Sequence, residues 1–149
     1  MITISPHLLE QYESADYYIE AIPPFVLKIG IYSYELSKIY ETSHQTKAAL
    51  ITASNPRSKK LPNEINKVRN KNLEEMIQET GLNYIYGEGK CGQDDWDGEE
   101  SLLILGIDQK QAMVIGQAFD QNAIVWCGKN AIPELILLNK GSMDDKNNR

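Results

Sequence analysis

The residues best suited to chemistry lie in a short polar turn, Asn55-Pro56-Arg57-Ser58, which directly follows an apolar run at 48–53. Strand ends that lead into polar loops are common binding and catalytic sites in α/β proteins, because the strand is rigid and the loop is free to vary. An arginine and a serine in such a turn suit a phosphate or carboxylate, and the start of the next helix would add its N–H groups.

A phosphate loop and a purely structural turn are the two alternative interpretations of this segment. It is not a Walker phosphate loop, which needs several glycines and a Gly-Lys-Ser/Thr ending. Asn-Pro is a common way to begin a turn, so a purely structural role for Asn55, bonding to the backbone, stays open beside the functional one.

The helix predicted after the turn carries a polar face rich in asparagine, formed by Asn63, Asn66, Lys67, Asn70 and Glu74. Asparagine is a poor helix former, so this cluster lowers helix stability. The cost indicates that the side chains hydrogen-bond to a ligand or to the neighbouring turn. A solvated face is the alternative, and Asn66 and Asn70 become ligand contacts if they lie close to Arg57.

A polar segment at 87–100 contains Trp96 within an acidic stretch and ends at Glu100. The EF-hand register places Gln93 and Ile104 at ligand positions, which excludes that calcium site and favours a solvated loop. Trp96 either packs onto the sheet or stacks on a ligand or partner. Glu100 begins a buried strand and is the candidate catalytic carboxylate, since partial burial would raise its pKa toward that of a general acid or base.

The two cysteines, Cys91 and Cys127, and the two histidines show no spacing typical of a disulfide framework, a metal site or a nucleophile pair. The sequence therefore predicts no metal site and identifies no cofactor.

The chain has 149 residues and a formal net charge of -6. That length predicts one globular domain at 1–140 followed by a frayed polar tail at 141–149. The acidic balance makes nucleic acid an unexpected partner, although basic residues cluster between Arg57 and Lys71, where they would attract a small anion. There is no signal-peptide pattern and no apolar run long enough to cross a membrane, so we expect a cytoplasmic protein without a membrane partner.

The hydrophobic pattern predicts alternating helices and strands. Ser5 caps a helix that begins at Pro6 and keeps its spacing to Ile22. Strands are predicted at 25–29, 48–53, 82–86, 102–105, 123–126 and 134–138, and helices near 34–40, at 63–80 and after Asp108. Two pairs of strands follow each other without a long helix between them. This pattern favours an α/β domain, with α+β left open, in which a mixed sheet of five to six strands packs with three to four helices.

Several segments in a fixed order also carry a family resemblance, over 30–135. They are Ile51-Thr52-Ala53, Asn55-Pro56 with Ser58, Asn70 with Leu73, Trp96, Glu100 to Gly106, and Phe119 with Gln121 to Trp126. They resemble a small bacterial family of uncharacterised proteins, the domain of unknown function 3293. The resemblance implies membership but no activity. The family often has an aromatic residue in place of Ser54 and a glycine in place of Asp120.

Two functions are predicted, and whether the protein is an enzyme is left open. The first is a small-ligand site that recognises an anion, such as a nucleotide or phosphorylated metabolite, with Glu100 beside a set of binding residues: Asn55, Arg57, Ser58, Asn66, Asn70 and Trp96. The second is a protein-interaction module, a regulator or inhibitor that acts through the acidic loop around Trp96.

Overall fold

The computed structural model describes residues 4–90 and 98–138, and within them the chain forms four α-helices, seven strands and one short 3-10 turn at Pro56–Ser58. The helices are α1 (Pro6–Ser14), α2 (Tyr34–Ser43), α3 (Asn63–Thr80) and α4 (Gln109–Ala118). The strands are β1 (Asp16–Ile19), β2 (Phe25–Leu27), β3 (Ala48–Thr52), β4 (Tyr84–Lys90), β5 (Glu99–Leu105), β6 (Ala123–Cys127) and β7 (Pro133–Leu137).

All seven strands join one sheet in the order β2-β1-β4-β5-β3-β6-β7. Every neighbouring pair is antiparallel. The α/β class is confirmed, with seven strands rather than five or six and with antiparallel pairing in place of a mixed sheet. The polar tail at 141–149 lies outside the described residues, so the expected domain limits stay a prediction.

Strand β3 is an interior strand of the sheet, and it buries side chains on both faces because successive side chains of a strand point to opposite sides. Ala48 and Leu50 contribute to a core on the first face of the sheet, which also holds Leu36 and Tyr40 of α2. The intervening residues of β3 contribute to a second core with α3 and α4 on the other face. The sheet therefore lies between helices, and its two faces are called the first and second face below.

The helix boundaries follow from their capping residues. Ser5 accepts a hydrogen bond from the Leu8 N–H at the start of α1, and Asp108 accepts one from the Gln111 N–H at the start of α4. Helix α3 has the predicted bounds and ends at Gly81, whose φ of 79° lies in the left-handed region open to glycine. These local signals predicted where α1 and α4 begin and where α3 ends.

The predicted first helix is too long. Helix α1 ends at Ser14 and strand β1 follows it, with Tyr17 and Ile19 buried and Tyr18 exposed between them. This alternation with a period of two defines the strand, whereas the predicted helix rested on Ala15, Tyr18, Ile19 and Ile22, which match a helical spacing.

The segment at 87–100 was predicted as a loop, but its two ends belong to strands. Strand β4 extends to Lys90 and β5 begins at Glu99. Gly87 allows this pairing, because a Cβ atom there would lie 2.7 Å from the Tyr18 carbonyl oxygen of β1. No helix in the described part of the chain is long and apolar enough to cross a membrane.

Candidate functional site

The turn after β3 has a strained backbone. Asn55, Arg57 and Ser58 have φ values of 46°, 53° and 62°, in the left-handed region that non-glycine residues seldom adopt. Such conformations cost free energy and persist only where surrounding contacts hold them. The contacts that hold this turn come largely from α3.

Two asparagines of α3 satisfy the backbone of the turn. The Asn70 Oδ1 atom accepts a hydrogen bond from the Ala53 N–H at 2.9 Å, and its Nδ2 donates to the Ser54 hydroxyl at 2.8 Å. The Asn66 Oδ1 accepts from the Asn55 N–H at 2.9 Å, and its Nδ2 donates to the Asn55 side-chain oxygen at 2.8 Å. The asparagines that lower the helix propensity of α3 therefore hold the neighbouring turn in place.

Two further side chains, neither among the predicted site residues, bond to carbonyl groups at the same place. Arg69 of α3 donates to the carbonyl oxygens of Ala53 and Phe119, each at 2.6 Å. Gln121 donates to the carbonyl oxygen of Ser54 at 3.0 Å. The guanidinium of Arg69 thus links the end of β3 to the end of α4.

The N–H groups of the turn have partners within the protein. The Arg57 N–H donates to the Asp120 carbonyl oxygen at 2.8 Å, and the Ser58 N–H donates to the Asn55 carbonyl oxygen at 2.8 Å. The Leu61 N–H donates to the Asn55 side chain at 2.9 Å. An anion at this turn would therefore be held by side chains rather than by a backbone cradle.

Arg57 is the exposed cation of the turn. Its side chain is 47% exposed, and one guanidinium nitrogen lies 3.7 Å from the Asp120 carboxylate. Asp120 has a φ of 57°. Glycine adopts that conformation without strain, which fits the glycine that the resembled family often has there. Arg57 is consequently placed at the surface, where an anion could reach it.

Ser58 links the turn to α1. Its hydroxyl lies 2.6 Å from the Tyr12 hydroxyl of α1 and accepts a hydrogen bond from the Asn122 side chain at 3.2 Å. Tyr17 of β1 donates to the Tyr12 carbonyl oxygen at 2.7 Å. These bonds fasten α1 across the first face of the sheet.

The half-buried carboxyl group at the start of β5 belongs to Glu99, not to the predicted Glu100. Glu100 is exposed and belongs to the other side of the strand. Glu99 accepts a hydrogen bond from the Asn55 side-chain amide at 2.9 Å, and within the described residues its carboxylate has no cationic partner. Burial raises the pKa of Glu99 to about 7, and the hydrogen bond from Asn55 opposes part of that rise.

A partly enclosed cleft lies between α1 and the first face of the sheet, and Glu99 lines it. The cavity volume is about 60 Å³, which is room for about four water molecules. Its apolar wall includes Leu8 of α1, Leu50, Val125 and Leu135. Its polar lining is formed by Gln11, Tyr12, Thr52, Lys90, Glu99, Ser101 and Gln121. An apolar pocket with a few polar groups is the usual character of a small-ligand site.

The structure thus brings Asn55, Ser58, Asn66 and Asn70 together and places Arg57 at the edge of the cluster. Trp96 lies outside the described residues, as do Cys91 and the acidic residues around Trp96. The ligand contact predicted for Trp96, and an interaction surface in that loop, stay predictions.

Neither metal nor thiol chemistry finds support among residues 4–90 and 98–138. No group of three or more His, Cys, Asp or Glu side chains in this part of the chain is arranged to hold a metal ion. Cys127 is buried, and burial raises the pKa of its thiol to about 12. A protonated, buried thiol is a poor nucleophile.

The family model described as Protein of unknown function (DUF3293) matches residues 51–124 of the chain. The chain belongs to this family. The matched range is narrower than the resemblance at 30–135, but it contains the turn, α3, Glu99 and Gln121. No curated protein and no solved structure matches the chain. The DUF3293 match covers the turn and Glu99, does not extend to α1, and assigns no activity.

The sequence indicates that Glu99 and Glu100 lie on opposite faces of β5, but not which of the two lines the cleft. Alternation along β5 places Glu99 and Ser101 on the face that buries Leu103. Glu100 belongs with Leu102 on the second face. Which of the two glutamates lines the cleft depends on which face of the sheet carries the cleft. The position of α1 decides that face.

Proposed function

We propose that this protein binds a small ligand in the cleft between α1 and the first face of the sheet, and that the Glu99 carboxyl group is the side chain that recognises it. The observation that carries the proposal is a half-buried carboxyl group that lines an open cavity and has no cationic partner among the described residues. Proteins ordinarily pair buried charges or leave them out of the core.

An ionised, half-buried Glu99 carboxylate lowers the stability of the folded protein, and this cost supports a functional role. A glutamine would accept the same hydrogen bond from Asn55 without a titratable group, so the fold itself does not require a carboxyl group here. Groups with strongly perturbed pKa values in clefts are enriched at functional sites. A carboxyl group with a pKa near 7 can accept or donate a proton at physiological pH, which suits ligand recognition and general acid or base catalysis.

The surrounding turn supports the same location. Asn55, which donates to Glu99, has a left-handed backbone held by Asn66 and Leu61. Strained residues held by their neighbours are common at functional sites. The network around Asn55 therefore fixes one wall of the cleft and the orientation of the Glu99 carboxyl group.

The anionic ligand predicted from the sequence remains a proposal that centres on Arg57. The asparagines of α3 are engaged with the turn, so an anion would bind through the exposed guanidinium. The cleft beside Glu99 is the site that the geometry favours, because it offers enclosure and apolar surface that the exterior of the turn does not.

A fragment screen monitored by NMR tests the proposal. Neutral, cationic and anionic fragments are added to the full chain, and the methyl signals of Leu8, Leu50 and Leu135 report on the cleft. We expect at least one fragment to shift these three signals in a saturable way. Ala123→Leu fills the cleft from β6 and should remove the effect, while Ala118→Leu on the exposed side of α4 should preserve it. No fragment that shifts the cleft signals would overturn the proposal.

A further inference from the structure

We propose that the ligand of this cleft is a compact molecule with a cationic amine head and a small aliphatic body. The inference rests on the proposed function and assigns the chemical class of its ligand. It is carried by the placement of one carboxyl group, without an ion pair in the described chain, beside the aliphatic wall of the cavity.

The charge balance of the cleft points to a cation. Within the described chain, Glu99 has one hydrogen-bond donor, Asn55, and no ion pair. Lys90 also lines the cleft, but it forms no ion pair with Glu99. A carboxylate that leaves water gains most from a charged partner that supplies hydrogen bonds. An ammonium group from the ligand would be that partner.

The volume and the lining of the cavity point to a small aliphatic body. Leu50, Val125 and Leu135 line it, and a volume of about 60 Å³ accommodates about four to five non-hydrogen atoms. An isobutyl group has this size. The amine would then lie toward Glu99, at the start of β5, and the methyl groups would lie among the aliphatic side chains.

The titratable groups that line the cleft are Tyr12, Tyr17, Lys90 and Glu99. Glu99 has a pKa of about 7, so its charge changes between pH 5.5 and 8. The two neighbouring glutamates, Glu88 and Glu100, are register partners on the opposite face of β4 and β5. Binding of an ammonium group should therefore follow the ionisation of Glu99 alone.

Three probes that share one isobutyl body test the inference: isobutylamine, isobutanol and 3-methylbutanoate. Their dissociation constants are measured by NMR titration of the full chain at pH 8. We expect isobutylamine to bind about tenfold more tightly than isobutanol, because a charge-assisted hydrogen bond is stronger than a neutral one by about that factor. The carboxylate should bind most weakly, because it meets the ionised Glu99.

Acid should weaken the binding of the amine. At pH 5.5 a carboxyl group with a pKa of about 7 is mostly protonated, so most of the about tenfold gain is lost and the affinity for isobutylamine should fall about sevenfold relative to pH 8. The affinity for isobutanol should not change. Glu99→Gln should remove both the preference for the amine and its pH dependence, and Glu100→Gln should retain both.

The outcomes separate this inference from the proposed function. If isobutanol or 3-methylbutanoate binds in the cleft as tightly as isobutylamine, the amine class is wrong and the ligand site stands. If the preference survives Glu99→Gln, the cation is recognised elsewhere and the inference is also wrong. If no probe and no fragment of the wider screen shifts the cleft signals, the proposed function fails and this inference fails with it.

Discussion

Replacing Glu99 with glutamine should stabilise the protein at alkaline pH and have little effect in acid. Glutamine has nearly the same shape as glutamate, and its side-chain oxygen can accept the hydrogen bond that Asn55 donates. The substitution therefore removes the ionisable group and leaves the packing of the cleft unchanged. The difference in unfolding free energy between the variant and the wild type then reports the free energy of burying the carboxylate.

The magnitude follows from the pKa of Glu99, which burial raises from 4.5 to about 7 in the folded protein. A folded-state pKa above the unfolded value means that the folded protein holds the proton more tightly. Stability is therefore lost as the pH rises from the unfolded pKa to the folded pKa, at about 1.4 kcal/mol per pH unit. Between pH 5 and pH 8 the wild type should lose about 2.5 kcal/mol that Glu99→Gln retains.

Urea unfolding of both proteins at several pH values between 5 and 8 measures this difference. Glu100→Gln is the matched control, since Glu100 is the adjacent residue, is exposed, and belongs to the opposite face of β5. Its difference from the wild type should stay nearly constant over this range. A constant difference for Glu99→Gln as well would refute the reasoning, because it would mean that the Glu99 carboxylate is as well solvated as that of Glu100.

Three further predictions concern the turn. Asn70→Ala should lower the unfolding free energy by about 1 to 3 kcal/mol, because it leaves the Ala53 N–H without its acceptor. The control Asn72→Ala, at an exposed position of α3, should change the unfolding free energy by less than about 0.5 kcal/mol. Equal effects of the two substitutions in urea unfolding would contradict the role of Asn70 in holding the turn. Asn55→Gly keeps the left-handed backbone but removes a donor to Glu99, so the pKa of Glu99 should rise further, and an unchanged or lower value in a ¹³C NMR titration would show that this bond does not act on the carboxylate. Arg57→Ala should abolish any thermal stabilisation by inorganic phosphate, and a wild type that phosphate does not stabilise would count against an anion site at the turn.

Local signals in the sequence predicted most of the helices and strands. Ser5 and Asp108 cap their helices as expected, and Gly81 ends α3, because these contacts involve residues only a few positions apart. Strand β1 was missed because Ala15, Tyr18, Ile19 and Ile22 fit a helical spacing, whereas the alternation that defines the strand involves Tyr17 and Ile19. Its partners β2 and β4 decide between the two, and the pairing of distant segments is not encoded in a local window.

In the candidate site, too, local features were predicted from the sequence and contacts between distant segments were not. The sequence singled out the turn and its asparagines, since Asn66 and Asn70 lower the stability of the helix. Of the two predicted hydrogen-bond partners, a ligand or the turn, the structure shows bonds to the turn. Glu99 could not be separated from Glu100 without the position of α1. The contact between Tyr12 and Ser58, which are 46 positions apart, had no signal in the sequence at all.

A crystal structure of the full chain grown with the fragment that shifts the cleft signals most would test the central claim directly. We predict that the fragment lies between α1 and the first face of the sheet, with a polar atom within hydrogen-bond distance of the Glu99 carboxyl group. A fragment bound elsewhere, with Glu99 in contact only with Asn55 and solvent, would contradict the claim that this cleft is the ligand site.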